Sequence, residues 1–134
     1  MTMTKRDWSF AWIWWALGLA YLGLLAHFSL SHEEYARPSS ESVPLLDKYL
    51  HCLAYAMPAA GFVQLVRSVP RTFAGLFAFG LLMEFLQAAG GLRTFQYSDI
   101  LANSSGALVG SWISLKYGRD WLWKLDQGLK RHRS

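Results

Sequence analysis

The chain has 134 residues, 53% of them hydrophobic and only 16% charged, with seven Trp, whereas soluble domains carry about a quarter charged residues. A water-soluble fold of this size would leave much of that apolar surface in water, while a membrane protein offers it to lipid. A single cysteine, Cys52, excludes an internal disulfide and any Cys-based zinc spacing, and the net charge of +4 comes from basic residues placed mostly beside apolar runs, where they act as topology signals rather than as a nucleic-acid surface.

One domain over residues 1–134 is expected. The first apolar run, 8–28, follows Lys5 and Arg6 and at 1.5 Å per residue is roughly 31 Å long, the thickness of a hydrocarbon core. A cleaved signal peptide is the alternative. The bulky Trp12, Trp14 and Trp15 and the lack of a small-residue cleavage site argue against it. A polar stretch follows, Ser29 to Val43, with Glu33, Glu34, Pro38 and Glu41, and reads as an external loop. Pro44 suits the first turn of a helix, and the second span is expected over 49–66, with Pro58 removing one internal hydrogen bond and kinking it.

Arg67 to Arg71 forms a short basic turn before a third span over 72–89, which carries Glu84 and Gln87. A compact loop with Arg93 leads to the fourth span, 99–117, with Ser98 expected as its N-cap and Asp99 in its first turn. The remainder, 118–134, is basic and places Trp121, Leu122, Leu125 and Leu129 at near-helical spacing. It reads either as an amphipathic helix lying on the membrane interface or as a solvated, frayed tail.

Ten of the thirteen Lys and Arg fall before the first span, between the second and third, or from the last turn of the fourth onward. The positive-inside rule puts those segments in the cytoplasm. The expected fold is therefore all-α: a polytopic integral membrane protein with four transmembrane helices in a bundle, both ends inside.

That topology sorts the polar residues by depth. Asp47, Lys48 and His51 lie on the outermost turns of the second span, and Glu84 sits roughly 8 Å below the outer boundary of the third. Gln87 is one turn further out, Asp99 and Asn103 open the fourth span, and Arg93 is in the loop between the last two. Asp47–His51, His51–Tyr55 and Asp99–Asn103 are spaced i,i+4 and Glu84–Gln87 i,i+3, so each set shares a helix face. Charges facing lipid are costly, so these faces should meet in one outward-facing polar cluster.

Such a cluster can be hydrogen-bonded packing between helices, worth about 0.6–2 kcal/mol per residue, but packing needs only an amide or a hydroxyl. Carboxylates, a His, a Lys and an Arg at one depth point to a site. Asn103 is the member best suited to a packing role, and Gly106-x-x-x-Gly110 permits close helix approach within the molecule. Asp47, His51, Glu84 and Asp99 are the candidates for acid–base work, Lys48, Tyr55, Gln87, Arg93 and Asn103 for ligand contact. Lys48 and Arg93 suit an anionic headgroup. No metal-binding spacing is present and no cofactor is expected. A small proton-coupled transporter built on Glu84 is a second reading, weakened by the lack of charge in the cytoplasmic halves of the spans. A non-catalytic scaffold or partner subunit is a third, and whether the chain is an enzyme is left open.

The same residues resemble a known family. Val43-Pro-Leu-Leu-Asp-Lys-Tyr-Leu-His51, with Tyr55 one turn on, resembles the D-K-x-x-H signature of VanZ-like membrane proteins. Glu84-Phe-Leu-Gln87 resembles that family's E-x-x-Q, and Arg93, Asp99, Asn103, Gly106 and Gly110 resemble its R…D…N-x-x-G-x-x-x-G block. Gln96 departs from the pattern, since some relatives have an acidic residue there. The resemblance implies a multi-pass protein of the bacterial inner membrane, acting on the cell envelope, in a family whose name-giving member is linked to teicoplanin resistance. The expected partners are the bilayer and a lipid-linked or anionic envelope ligand.

Overall fold

A computed structural model describes residues 7–31, 44–92 and 94–134. Of the expected external loop, Ser29 and Leu30 instead complete a helix, and residues 32–43, like Arg93, lie outside the described residues. Those described form five helices and no strand: α1 (Ala11–Leu30), α2 (Pro44–Val66), α3 (Val69–Ala89), α4 (Tyr97–Tyr117) and α5 (Trp121–Arg133).

Local chemistry explains the boundaries. α2 starts at Pro44, ahead of the expected span, because Pro fits a first turn and Asp47 complements the positive end of the helix dipole. It runs unbroken through Pro58 and stops at Arg67, whose φ of 60° lies in the left-handed region. α3 is capped by Ser68, whose side chain accepts from the Arg71 N–H at 3.3 Å. The expected Ser98 cap is corrected: α4 begins at Tyr97, and Ser98 sits exposed inside the first turn. The frayed-tail alternative is also overturned, since 121–133 is one continuous helix.

α1, α2 and α3 are long and apolar enough to cross a membrane. α1 has no buried residue, and apolar side chains are spread around its whole circumference, so the face it does not pack on the bundle is apolar too. α4 is equally long at 21 residues but more polar. Four of its polar groups, Asp99, Asn103, Ser111 and Ser114, are buried, while Leu101, Leu108, Val109, Trp112 and Ile113 face out.

The bundle is organised by a parallel pairing of α2 with α4. Lys48 meets Asp99, His51 meets Asn103, and Ser114 donates to the Ala60 carbonyl at 2.7 Å. Arg67 and Asp120 pair at 2.6 Å where the two helices end. Gly106 and Gly110 allow this approach: a Cβ at Gly106 would stand 2.8 Å from the Cys52 carbonyl carbon, and one at Gly110 2.7 Å from Ala56 Cα. α1 runs the other way, with Phe62 packed on Gly18 and Tyr21 donating to the Ala54 carbonyl at 2.8 Å. Tyr55, Ala59, Phe62, Leu76 and Ala107 form the apolar centre.

Candidate functional site

At the end of the bundle where α1 and α3 finish and α2 and α4 begin, a cleft of about 190 Å³ opens. Its walls are apolar (Leu25, Leu50, Ala54, Met83), and Asp47, His51, Tyr55, Glu84, Gln87 and Asn103 supply its polar lining. Four helices contribute, so only the assembled bundle makes the site.

His51 Nδ1 lies 3.1 Å from Asn103 Oδ1, and Nε2 lies 3.6 Å from Asp47 Oδ1. With the amide oxygen accepting, Nδ1 carries the proton and Nε2 is the ring atom left for chemistry. Glu84 is 3% exposed, and its Oε2 accepts the Gln96 N–H at 3.3 Å. Gln87 donates through Nε2 to the Ser29 carbonyl at 2.8 Å, which ties α1 to α3 at the rim. Gly80 leaves room for Tyr55 and Asn103 beside α3, since a Cβ there would lie 3.3 Å from both side chains.

Lys48 and Asp99 occupy a different place. Asp99 is fully buried and paired with the Lys48 ammonium, which also lies 3.6 Å from Asp47 and donates to Gln96 Oε1 at 3.3 Å. Neither lines the cleft. Asp47, His51 and Asp99 bring ligand atoms within 4.8 Å of one another. The Lys48 ammonium sits against both carboxylates, so a metal ion could enter this trio only with Lys48 withdrawn.

The structure thus brings Asp47, His51, Tyr55, Glu84, Gln87 and Asn103 to one cleft, puts Lys48 and Asp99 in an adjoining buried pair, and uses Gly106 and Gly110 for packing below it. Gln96, marked in the sequence only as a departure from the family pattern, links the two parts by contacting both Lys48 and Glu84.

Sequence reasoning also missed a second polar centre at the opposite end. Gln64 is buried and donates to Ser114 Oγ at 2.9 Å, and its Oε1 accepts the Asp120 N–H at 3.2 Å. Asp126, on the inner face of α5, accepts the Ser9 and Phe10 N–H groups at 2.8 and 2.9 Å and the Trp14 indole at 2.9 Å. It serves as the cap that the start of α1 lacks locally. The signal available in sequence was the i,i+4 spacing of Asp126 from Leu122, which puts an acidic residue on the apolar face of the tail.

No curated protein and no solved structure matches the chain significantly. The model of the VanZ/LLP1 family matches residues 14–118, which include every helix that forms the cleft. The chain is a member of the VanZ/LLP1 family.

Proposed function

We propose that this VanZ/LLP1 protein is a four-span protein of the bacterial inner membrane, both ends cytoplasmic, whose outward-facing cleft binds or modifies a membrane-embedded envelope ligand. The carrying observation is that His51, Glu84, Gln87 and Asn103, drawn from three helices, line one cleft whose remaining walls are apolar. An apolar pocket with a few convergent polar groups is the usual form of a small-ligand site. The fourth span is supported by the parallel register of α4 on α2, which keeps the two helices at the same depth from Lys48–Asp99 to Arg67–Asp120. The orientation is supported by the distribution of basic residues.

The cleft has acid–base capacity as well as binding groups. His51 lines it with Nδ1 held by Asn103, and Glu84 is a second proton-transfer group in the same space. The family resemblance suggests the setting: tolerance of teicoplanin-type glycopeptides, or upkeep of the envelope under stress.

The test is complementation of a deletion strain under envelope stress, with membrane abundance measured in parallel. His51→Ala and Glu84→Gln are expected to insert and accumulate normally while failing to restore growth. Full rescue by both variants would remove the cleft as the functional site. Loss of abundance with Glu84→Gln would mark the cluster as a structural element of a scaffold.

A further inference from the structure

Taking the cleft as a ligand site, as argued above, we propose that it selects an amphiphile whose headgroup carries a protonated primary amine, with Glu84 as the group that receives the ammonium.

The distribution of charge leads to this. In sequence, Lys48 suggests an anionic headgroup, but the folded chain commits its ammonium to Asp99, Gln96 and the cleft-lining Asp47, and Lys48 is not itself among the lining residues. Among the described lining residues there is no Lys or Arg, and two are carboxylates, Asp47 and Glu84. Among the described residues Glu84 forms no ion pair. Its described hydrogen bond is the single one to Oε2 from Gln96, although the side chain is almost wholly buried. A carboxylate removed from water needs a cation or further donors.

An ammonium supplies both, as one positive charge with three N–H donors. Of the neighbouring groups, Gln87 and Asp47 offer acceptors, while the Tyr55 hydroxyl and the Asn103 amide nitrogen are neutral donors that bring no charge. Gln87 uses its Nε2 on the Ser29 carbonyl, which leaves Oε1 as the end that can serve the cleft. Asp47 lies at the mouth, 46% exposed. A phosphate would bring only acceptors and negative charge to the buried Glu84 carboxylate, and like charges set together at an interface are repelled.

The apolar walls require the rest of the ligand to be hydrocarbon. A space of about 190 Å³ accommodates a small headgroup and its first methylenes. Leu50, which lines the cleft and is 56% exposed, provides a path for the remaining chain into the bilayer.

The experiment uses the full-length protein in a non-ionic detergent, titrated with octylamine, octyl phosphate, octanol and octyltrimethylammonium. These probes share a chain length and differ only at the head. Octylamine should bind about tenfold more tightly than each of the others, a ratio readily resolved by titration. Glu84→Gln should reduce octylamine to the level of octanol.

Equal binding of octylamine and octanol, or retention of the preference in Glu84→Gln, overturns the proposal. If Glu84→Gln does not fold, the wild-type comparison of octylamine with octyltrimethylammonium decides it, because the latter has the charge without N–H donors. Tighter binding of octyl phosphate, weakened by His51→Ala, overturns the amine while leaving the cleft as a ligand site. Failure of all four probes to bind removes both. Repeating the titration in nanodiscs with and without phosphatidylethanolamine identifies the source. Competition assigns the amine to the bulk phospholipid, and unchanged binding assigns it to another amine-bearing envelope amphiphile.

Discussion

The Lys48 ammonium and the Asp99 carboxylate, 51 residues apart in sequence, meet across the interface of α2 and α4 at the rim of the bundle. Asp99 is fully buried, so this pair fixes the register of the two helices at the end where the cleft opens. Breaking a buried pair from one side leaves a charge stranded, whereas replacing both partners by apolar groups of similar volume is often neutral.

Asp99→Ala should therefore destabilise the protein by roughly 3 kcal/mol, the low end for such a break because Lys48 keeps Asp47 nearby. The double variant Lys48→Met with Asp99→Leu should recover most of that loss. Unfolding by heat in detergent measures both. A double variant no more stable than the single one would contradict the assignment.

Gly106 and Gly110 make a second, separate prediction. Gly106→Leu or Gly110→Val must push α4 off the backbone of α2 at Cys52 and Ala56, and overpacking of this kind costs about 1–3 kcal/mol or more. The half-buried Cys52 thiol should then react faster with a maleimide. Gly23→Ala and Gly75→Ala, which meet nothing within 4 Å, should leave both stability and thiol reactivity unchanged.

Asp126→Ala should release α5 from the start of α1. Two backbone N–H groups and the Trp14 indole lose their acceptor, at a cost of about 1–3 kcal/mol for donors left unsatisfied. Limited trypsin treatment should cut faster at Lys124 and Lys130. Growth under envelope stress should be retained, because Asp126 lies at the end opposite the cleft. Unchanged proteolysis would show that the contact does not hold α5.

The proposed orientation is checked by labelling in a Cys52→Ser background. Tyr97→Cys, at the exposed start of α4, should react with an impermeant thiol reagent in intact cells. Arg119→Cys, beyond the far end of α4, should react only after the cells are opened. External labelling of Arg119→Cys would reverse or abolish the topology.

Much of the fold was readable because its signals are local. Apolar runs of about twenty residues, Pro44 at a helix start and Gly106-x-x-x-Gly110 report on neighbouring turns of a single helix. The site was readable in outline for the same reason. Helical spacing groups Asp47 with His51, and Glu84 with Gln87, before any helix is placed against another. Ser98 misled because a capping residue type does not start a helix when the chain has already turned helical at Tyr97.

The sequence by itself determined that the chain forms long apolar helices and which ionisable residues share a helix face. Only the tertiary structure decided which of those groups pair and which face open space. Lys48 reads as a ligand contact in sequence, yet it is drawn to Asp99 and does not line the cleft, leaving Glu84 among the acceptors that do. Asp126 reads as one more charge in a basic tail, yet it caps a helix that begins more than a hundred residues earlier. The physical reason is that periodicity encodes only the face of a helix on which a residue lies. Which group that face meets depends on the close approach and register of α2 and α4, a relationship between segments more than fifty residues apart.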